Sequence, residues 1–361
     1  MNRTPFKSRW YLPIFCLFLL TGCWDNKDIN HRVLPLVVGV KKIEDDRYKI
    51  ILEIPTTNPN GIQTEIVTGT GDTINEAIEQ IKTNLESQVD LLHLRLIVLD
   101  KEYANSGTEE LIEAIMRTRE ISPKAMVAVC SNDSLEDFFS GVNEKVQTSN
   151  ISMLDFFDKT AGWTPQIVTA NTWEMYRGIH SPTQDVTLPV IDKGKDTTLV
   201  YKGSAIFHKG AMKGKITGDD SFLINAYKGN ETYGKIEVLN KASVMVVSNR
   251  IQNYAEIKGD LPFLTIKMNL NVVVLETVGN PSVNDVKKQL DDLITTRFQN
   301  VIQKSQSEQS DTFGFGQHFR SLLPPNQLTT WKTDYYPRLK VKVDVKVDIR
   351  NKGNLKSMKG N

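Results

Sequence analysis

The sequence contains few of the features on which an enzyme or a nucleic-acid-binding protein depends. Only three of its 361 residues are cysteines, and their wide separation argues against a disulfide framework. The net charge is +1, whereas a nucleic-acid-binding domain usually carries a strong basic excess. The chain lacks His-Glu-x-x-His, Gly-x-Ser-x-Gly and Cys-x-x-Cys motifs. The sequence therefore predicts no catalytic residues, no bound metal and no non-covalent cofactor.

Histidines are few and scattered, which disfavours a metal site. The five occur singly, at His31, His93, His180, His208 and His318. We interpret His93 and His208, which lie in strand-like segments, as structural side chains. Cys130 ends an apolar strand-like run and is interpreted as a small buried residue.

Long apolar runs are also missing, except near the N-terminus. Residues 10–20 are apolar, and Arg3, Lys7 and Arg9 precede them, as in a secretory signal. Such a run is too short to span a bilayer stably, and no later run approaches the roughly eighteen residues that a membrane helix needs. We therefore interpret residues 1–22 as a signal peptide and expect the mature chain to be soluble apart from an attached lipid.

The residues that end this signal form a lipobox pattern. Leu20, Thr21, Gly22 and Cys23 directly follow the apolar run. The Cys23 thiol can accept a diacylglyceryl group through a thioether, and the small residues before it let a peptidase cut there. Two acyl chains give stable anchoring, whereas one gives marginal binding. We predict that Cys23 is lipidated and that the chain faces the outside of the cytoplasm.

Apolar side chains recur with both helical and strand periods, which predicts an α+β protein of more than one domain. Ser282 and Asp285 form a capping-box pattern before a long helix with an apolar stripe from Val283 to Ile302. Residues 339–350 alternate apolar and polar or charged side chains, which predicts a half-buried antiparallel strand. We expect mixed and antiparallel sheets packed with helices, and the long helix before this C-terminal antiparallel strand.

Composition shifts suggest where the chain divides. Pro182, Pro189 and Gly194 lie in a charged segment that we interpret as a linker. The predicted organisation is a signal peptide (1–22), a lipidated tether (23–32), an N-terminal α/β region of one or two subdomains (33–180), a linker (181–198) and a C-terminal α+β domain (199–361).

The C-terminal end is locally basic. Residues 338–361 hold eight basic and two acidic residues. We interpret this charge as a solvated strand face followed by a tail. The alternative, contact with anionic lipid heads or an acidic partner, stays open.

Several segments resemble one protein family in order and spacing. They are Gly22-Cys23-Trp24-Asp25, the strand Lys202-Gly203-Ser204-Ala205-Ile206-Phe207, Phe313-Gly314-Phe315-Gly316, and Trp331 followed by Tyr336-Pro337. The chain resembles the Ger(x)C family, the C-subunit lipoproteins of bacterial spore germinant receptors. It departs from the family at Gly39-Val40-Lys41, where Gly-Ile-Asp is often found, which puts in doubt a role for an acidic side chain there.

The resemblance implies a non-enzymatic subunit that assembles with an A subunit and a polytopic B subunit. It places the complex in the inner membrane of the spore, where it senses nutrients that trigger germination. It also implies that Cys23 carries the lipid, with acyl chains such as palmitate. Trp24 and Asp25 are candidates for recognition by the lipidating enzymes or for orienting the tether. The alternative from the residues is a solute-binding lipoprotein of a transporter.

Overall fold

The computed structural model describes residues 32–58, 61–118, 120–149, 152–158, 164–230, 232–279 and 281–351. The predicted signal peptide, with Leu20, Thr21 and Gly22, lies outside the described residues, as do Cys23, Trp24 and Asp25. Those predictions stay predictions. Arg32, the last residue of the predicted tether, begins the first strand.

The strands form one large sheet, one smaller sheet and a short pair. Their bounds are β1 (Arg32–Val33), β2 (Val37–Lys42), β3 (Tyr48–Asn58), β4 (Gly61–Gly71), β5 (Gln88–Val89), β6 (Leu96–Leu99), β7 (Met126–Cys130), β8 (Thr187–Lys193), β9 (Leu199–His208), β10 (Ala211–Ile216), β11 (Ile236–Val238), β12 (Ala242–Lys258), β13 (Leu261–Thr277) and β14 (Lys340–Asn351).

Helices connect many of these strands and pack on both sheets. Their bounds are α1 (Ile74–Asn84), α2 (Lys101–Ser106), α3 (Glu109–Thr118), α4 (Leu135–Ser149), α5 (Asp155–Asp158), α6 (Thr172–His180), α7 (Gly218–Tyr227), α8 (Val283–Ser307) and α9 (Pro325–Leu328). The predicted capping box of the long helix α8 is confirmed. The Ser282 hydroxyl accepts from the Asp285 N–H at 3.1 Å, and the Asp285 carboxylate accepts from the Ser282 N–H at 3.3 Å.

The large sheet has the order β10-β9-β8-β7-β6-β2-β3-β4. Strands β8, β7, β6 and β2 are parallel, and antiparallel strands flank them on both sides. The central strands are buried on both faces: Val127 and Val129 of β7 face one core, whereas Ala128 and Cys130 face another. The prediction for Cys130 is confirmed, and burial raises the pKa of its thiol to about 12.

One carboxylate of this sheet is buried at a cost to stability. Glu53 of β3 is 5% exposed, and burial raises its pKa from 4.5 to about 7. Because the folded-state pKa lies above the unfolded value, the penalty is absent below pH 4.5 and complete above pH 7. Glu53→Gln is therefore expected to raise the free energy of unfolding by up to about 3 kcal/mol at pH 8 and by little at pH 4.5.

Urea unfolding at the two pH values measures this difference. Glu65→Gln, on the exposed face of neighbouring β4, is the matched control and should change stability at neither pH. An equal gain at both pH values for Glu53→Gln would contradict the assigned cause.

The predicted linker over 181–198 is wrong. This segment contains β8, which lies inside the large sheet between β7 and β9. The pairing between β8 and β9 shifts register between Pro189 and Ile191, and such an irregularity tolerates a residue that lacks an N–H donor. As a consequence β9 and β10, which were predicted in the C-terminal domain, complete the sheet of the N-terminal region.

The smaller sheet has the order β11-β12-β13-β14. Strands β12 and β13 are 17 residues each and form a long antiparallel hairpin. Helix α8 covers one face of this sheet, where Leu290, Ile294 and Phe298 share a core with Ile266 and Met268. The predicted α+β class, with mixed and antiparallel sheets, is confirmed.

The last strand differs from its prediction in direction. Residues 339–350 alternate as predicted, but β14 pairs with β13 in parallel, not antiparallel. Helix α8 lies in the connection between the two strands and carries the chain back across the sheet, so β14 runs the same way as β13. The alternation of side chains predicts that one face of the strand is buried. It does not predict whether the neighbouring strand runs parallel or antiparallel.

Candidate functional site

Segments that carry the family resemblance meet between the two sheets. Phe207 is the last residue but one of β9 in the large sheet. Its carbonyl accepts a hydrogen bond of 2.6 Å from the hydroxyl of Ser310, which follows α8. Residues 313–316 and Trp331 surround two buried carboxylates, Asp185 and Asp311. We call Asp185, His208, Asp311, Trp331 and Lys332 the polar junction.

Asp311 organises one side of the polar junction. Its carboxylate accepts hydrogen bonds from the Phe315 and Gly316 N–H groups, each at 2.7 Å, and from the Trp331 indole at 2.9 Å. Glycine is required at position 316, because a Cβ there would lie 2.5 Å from the Trp331 Nε1 and 2.8 Å from the Thr183 carbonyl oxygen.

Asp185 joins the two halves of the chain. Its N–H donates to the Asp311 carbonyl at 2.9 Å, and its carboxylate accepts from the Asp311 N–H at 2.9 Å. Its other carboxylate oxygen accepts from the Lys332 ammonium at 2.8 Å. The side chains of Asp185 and Lys332 are 1% and 7% exposed, so this is a buried ion pair. Loss of either member would leave an uncompensated buried charge.

His208 borders this ion pair. Its Nδ1 lies 3.6 Å from the Asp185 carboxylate, beyond hydrogen-bond distance, and has no hydrogen-bond partner among the described residues. The prediction that His208 is a structural side chain fits its position at the end of β9.

Burial governs the ionisation of Asp311. Removal from water raises the pKa of this carboxyl to about 6, although hydrogen bonds from Gly316, Trp331 and Phe315 lower it. The charge of Asp185 raises it further. Burial thus makes ionisation of the Asp311 carboxyl unfavourable, and the three hydrogen-bond donors offset part of this penalty.

Aromatic rings exclude water from the polar junction. Phe313 and Phe315 stack with their centroids 4.9 Å apart, and Phe319 packs against Trp331 at 4.7 Å. Hydrogen bonds and ion pairs are stronger in such a dry environment, and an unpaired polar group is more costly there. The arrangement fixes the large sheet against the smaller one.

Sequence reasoning did not single out Asp185, Asp311 or Lys332. Each is an isolated charged residue in a segment without helical or strand period, and Asp185 lies 147 residues from Lys332. One local signal was available, since Asp311 lies two residues before the glycine- and phenylalanine-rich segment 313–316.

One group of side chains within the described ranges has the spacing of metal ligands. Ligand atoms of Glu109, Glu113 and His180 lie within 4.8 Å of one another at the surface. Glu113 lies 3.5 Å from the His180 imidazole and 3.7 Å from the Arg117 guanidinium, and exposed acidic groups commonly lie together in this way without a metal.

Within residues 32–351, as far as they are described, no helix combines sufficient length with sufficient apolarity to cross a bilayer.

Comparisons with known proteins cover most of the chain. The family model for the spore germination protein N-terminal domain matches residues 25–193. The model described as spore germination B3/GerAC like, C-terminal, matches residues 202–353. The two models meet near the end of β8, inside the large sheet.

Individual relatives extend over nearly the whole length. Identity to spore germination protein KC of Bacillus subtilis (strain 168) is 20% over 391 residues, covering 95% of each chain. Identity to spore germination protein GerQC of Bacillus cereus is 21% over 360 residues, covering 94% of this chain and 98% of that protein.

The crystal structure of the GerBC protein has a similar fold. Its TM-score is 0.57 at 11% identity, covering 87% of this chain and 97% of that one. The two family models and this structural match agree with the resemblance carried by Phe207, residues 313–316 and Trp331. The chain therefore belongs to the Ger(x)C family of spore germination proteins.

Proposed function

We propose that this chain is the membrane-anchored C subunit of a nutrient germinant receptor, and that it supports receptor assembly and germination signalling in spores. The observation that carries this proposal is the match of two germination-protein models to residues 25–193 and 202–353. The proposed role is non-enzymatic. The proposed partners are the A and B subunits of the receptor.

Anchoring in this proposal depends on Cys23. Leu20, Thr21 and Gly22 position the peptidase cut before Cys23. Cys23 carries a covalent diacylglyceryl group, and the proposal includes no other cofactor. Each buried methylene contributes about 0.8 kcal/mol, so two acyl chains hold the protein stably. The chain then lies on the outer side of the spore inner membrane. Trp24 and Asp25 serve recognition by the lipidating enzymes.

A rigid body suits a subunit that positions other proteins. The reciprocal hydrogen bonds between Asp185 and Asp311, and the buried pair of Asp185 with Lys332, support such rigidity. The alternative, a solute-binding lipoprotein, has less support, because such proteins need two lobes of broadly parallel sheet around a cleft. The long antiparallel hairpin of β12 and β13 does not fit that pattern.

Deletion of the gene in a sporulating host tests this proposal. We expect nutrient-triggered germination through this receptor to be lost and the A and B subunits to fall at least several-fold in spore membranes. Immunoblots and optical-density loss after nutrient addition measure the two effects. Germination through another receptor is the control and should be unchanged. Normal partner levels together with normal germination would contradict the proposal.

A further inference from the structure

A cavity of about 280 Å³ lies beside the polar junction. Helix α6, the start of β8, the C-terminal end of α7 and the segment at Phe313 and Gly314 form its walls. Both halves of the chain therefore contribute to it. Its volume lies near the lower end of the range for small-molecule sites, and its walls are rich in polar groups.

Two cations line this cavity without a carboxylate partner. Neither Arg177 nor Lys228 makes an ion pair with any residue that the structure describes. The Arg177 guanidinium lies over the Trp173 ring at 4.9 Å, which fixes its position. Lys228 experiences the positive charge of Arg177 and also the negative charges of Glu174, Asp311 and Asp185, although none of these carboxylates forms an ion pair with it. A bound anion between the two cations would relieve their mutual repulsion.

A buried hydroxyl supplies an independent indication of a ligand. Thr187 lines the cavity, is 2% exposed, and its Oγ1 has no hydrogen-bond partner among the described residues. An unsatisfied buried polar group costs about 1–3 kcal/mol, so a partner is expected from the cavity. Thr187 is also the first residue of β8, whose position the large sheet fixes.

The cavity also offers an acceptor. One oxygen of Glu174 accepts from the Asn171 N–H at 2.9 Å and caps helix α6. This bond holds the carboxylate at the cavity wall and leaves its second oxygen as an acceptor for a ligand.

We propose that this cavity binds a small carboxylate with a hydroxyl or ammonium group on the neighbouring carbon. The ligand carboxylate lies between Arg177 and Lys228, and the second polar group contacts the Thr187 hydroxyl and Glu174. This inference does not depend on the proposed receptor role, because binding is measured on the chain alone.

Isothermal titration calorimetry of the purified full chain with lactate, alanine and lactamide tests the proposal. The three probes are nearly equal in size, and lactate differs from each of the other two in one group. We expect lactate or alanine to bind, and lactamide to bind at least tenfold more weakly because it lacks the carboxylate. Tighter binding of alanine would identify an ammonium ligand, and tighter binding of lactate a hydroxyl ligand.

Three variants locate the binding. Lys228→Gln and Arg177→Gln, both at exposed residues, should weaken binding at least tenfold, and Thr187→Val should weaken it several-fold. Lys213→Gln, at an exposed lysine of β10 away from the cavity, is the matched control and should bind as the wild type does. An unchanged melting temperature without probe confirms that each variant folds.

Three results would overturn the proposal. They are the absence of binding by both lactate and alanine, equal binding of lactamide, and unchanged binding by Lys228→Gln. None of these results bears on subunit assembly, so failure here and failure of the proposed receptor role are distinguishable.

Discussion

Asp311→Ala is expected to lower the free energy of unfolding by about 3–5 kcal/mol. The change removes the acceptor of the Phe315 and Gly316 N–H groups and of the Trp331 indole, and leaves three buried donors unpaired. It also leaves a cavity beneath stacked aromatic rings, which cannot collapse easily. Urea unfolding followed by tryptophan fluorescence measures the loss.

A matched control and a pH series sharpen this prediction. Asp334→Ala, at an exposed aspartate nearby, should change stability by less than about 0.5 kcal/mol. The pKa of Asp311 is raised to about 6 in the folded state, so the wild type loses stability relative to Asp311→Asn as the pH rises from about 4 to 6. The loss in Asp311→Asn should therefore be smaller at pH 8 than at pH 4. A loss that grows with pH would contradict the role assigned to burial.

Cys23→Ala is expected to abolish incorporation of labelled palmitate into the protein. The thiol is the only group in the lipobox that can form the thioether, and the peptidase cuts only before a modified cysteine. The variant should therefore keep residues 1–22, and mass spectrometry should detect this longer chain. Nutrient-triggered germination should fall with it, because the proposed receptor role requires the lipid anchor.

Cys130, the other cysteine of the predicted mature chain, supplies the control. Cys130→Ala removes a buried side chain in the core of the large sheet and leaves the lipobox intact. It should be labelled and cut as the wild type is, at a modest loss of stability. Full labelling of Cys23→Ala would refute the assignment of the lipid to this residue.

Local patterns in the sequence predicted the local features of the fold. Helix α8 was predictable because its two signals are local in the sequence. The capping box of Ser282 and Asp285 lies at the helix start, and the apolar stripe follows directly. The alternation in β14 predicted a strand with one buried face. Its parallel pairing depends on where α8 carries the chain, which no residue within the strand determines.

Features that depend on distant partners were not predictable in this way. Pro182, Pro189 and Gly194 are typical of a linker, yet tertiary pairing places β8 inside a sheet and a register shift accommodates Pro189. The ion pair of Asp185 and Lys332 joins residues 147 positions apart, and no periodicity connects them. The predicted lipid site needed no tertiary information, since a short linear motif defines it.

The order of strands in the large sheet has a consequence for how the chain folds during synthesis. Strand β8 receives its second neighbour only from β9, and β9 receives its own from β10, which ends at Ile216. A nascent chain that stops near residue 193 therefore exposes an apolar strand edge, which is prone to pair with other chains. A fragment of residues 25–193, the part that the first family model matches, is therefore expected to aggregate when expressed alone.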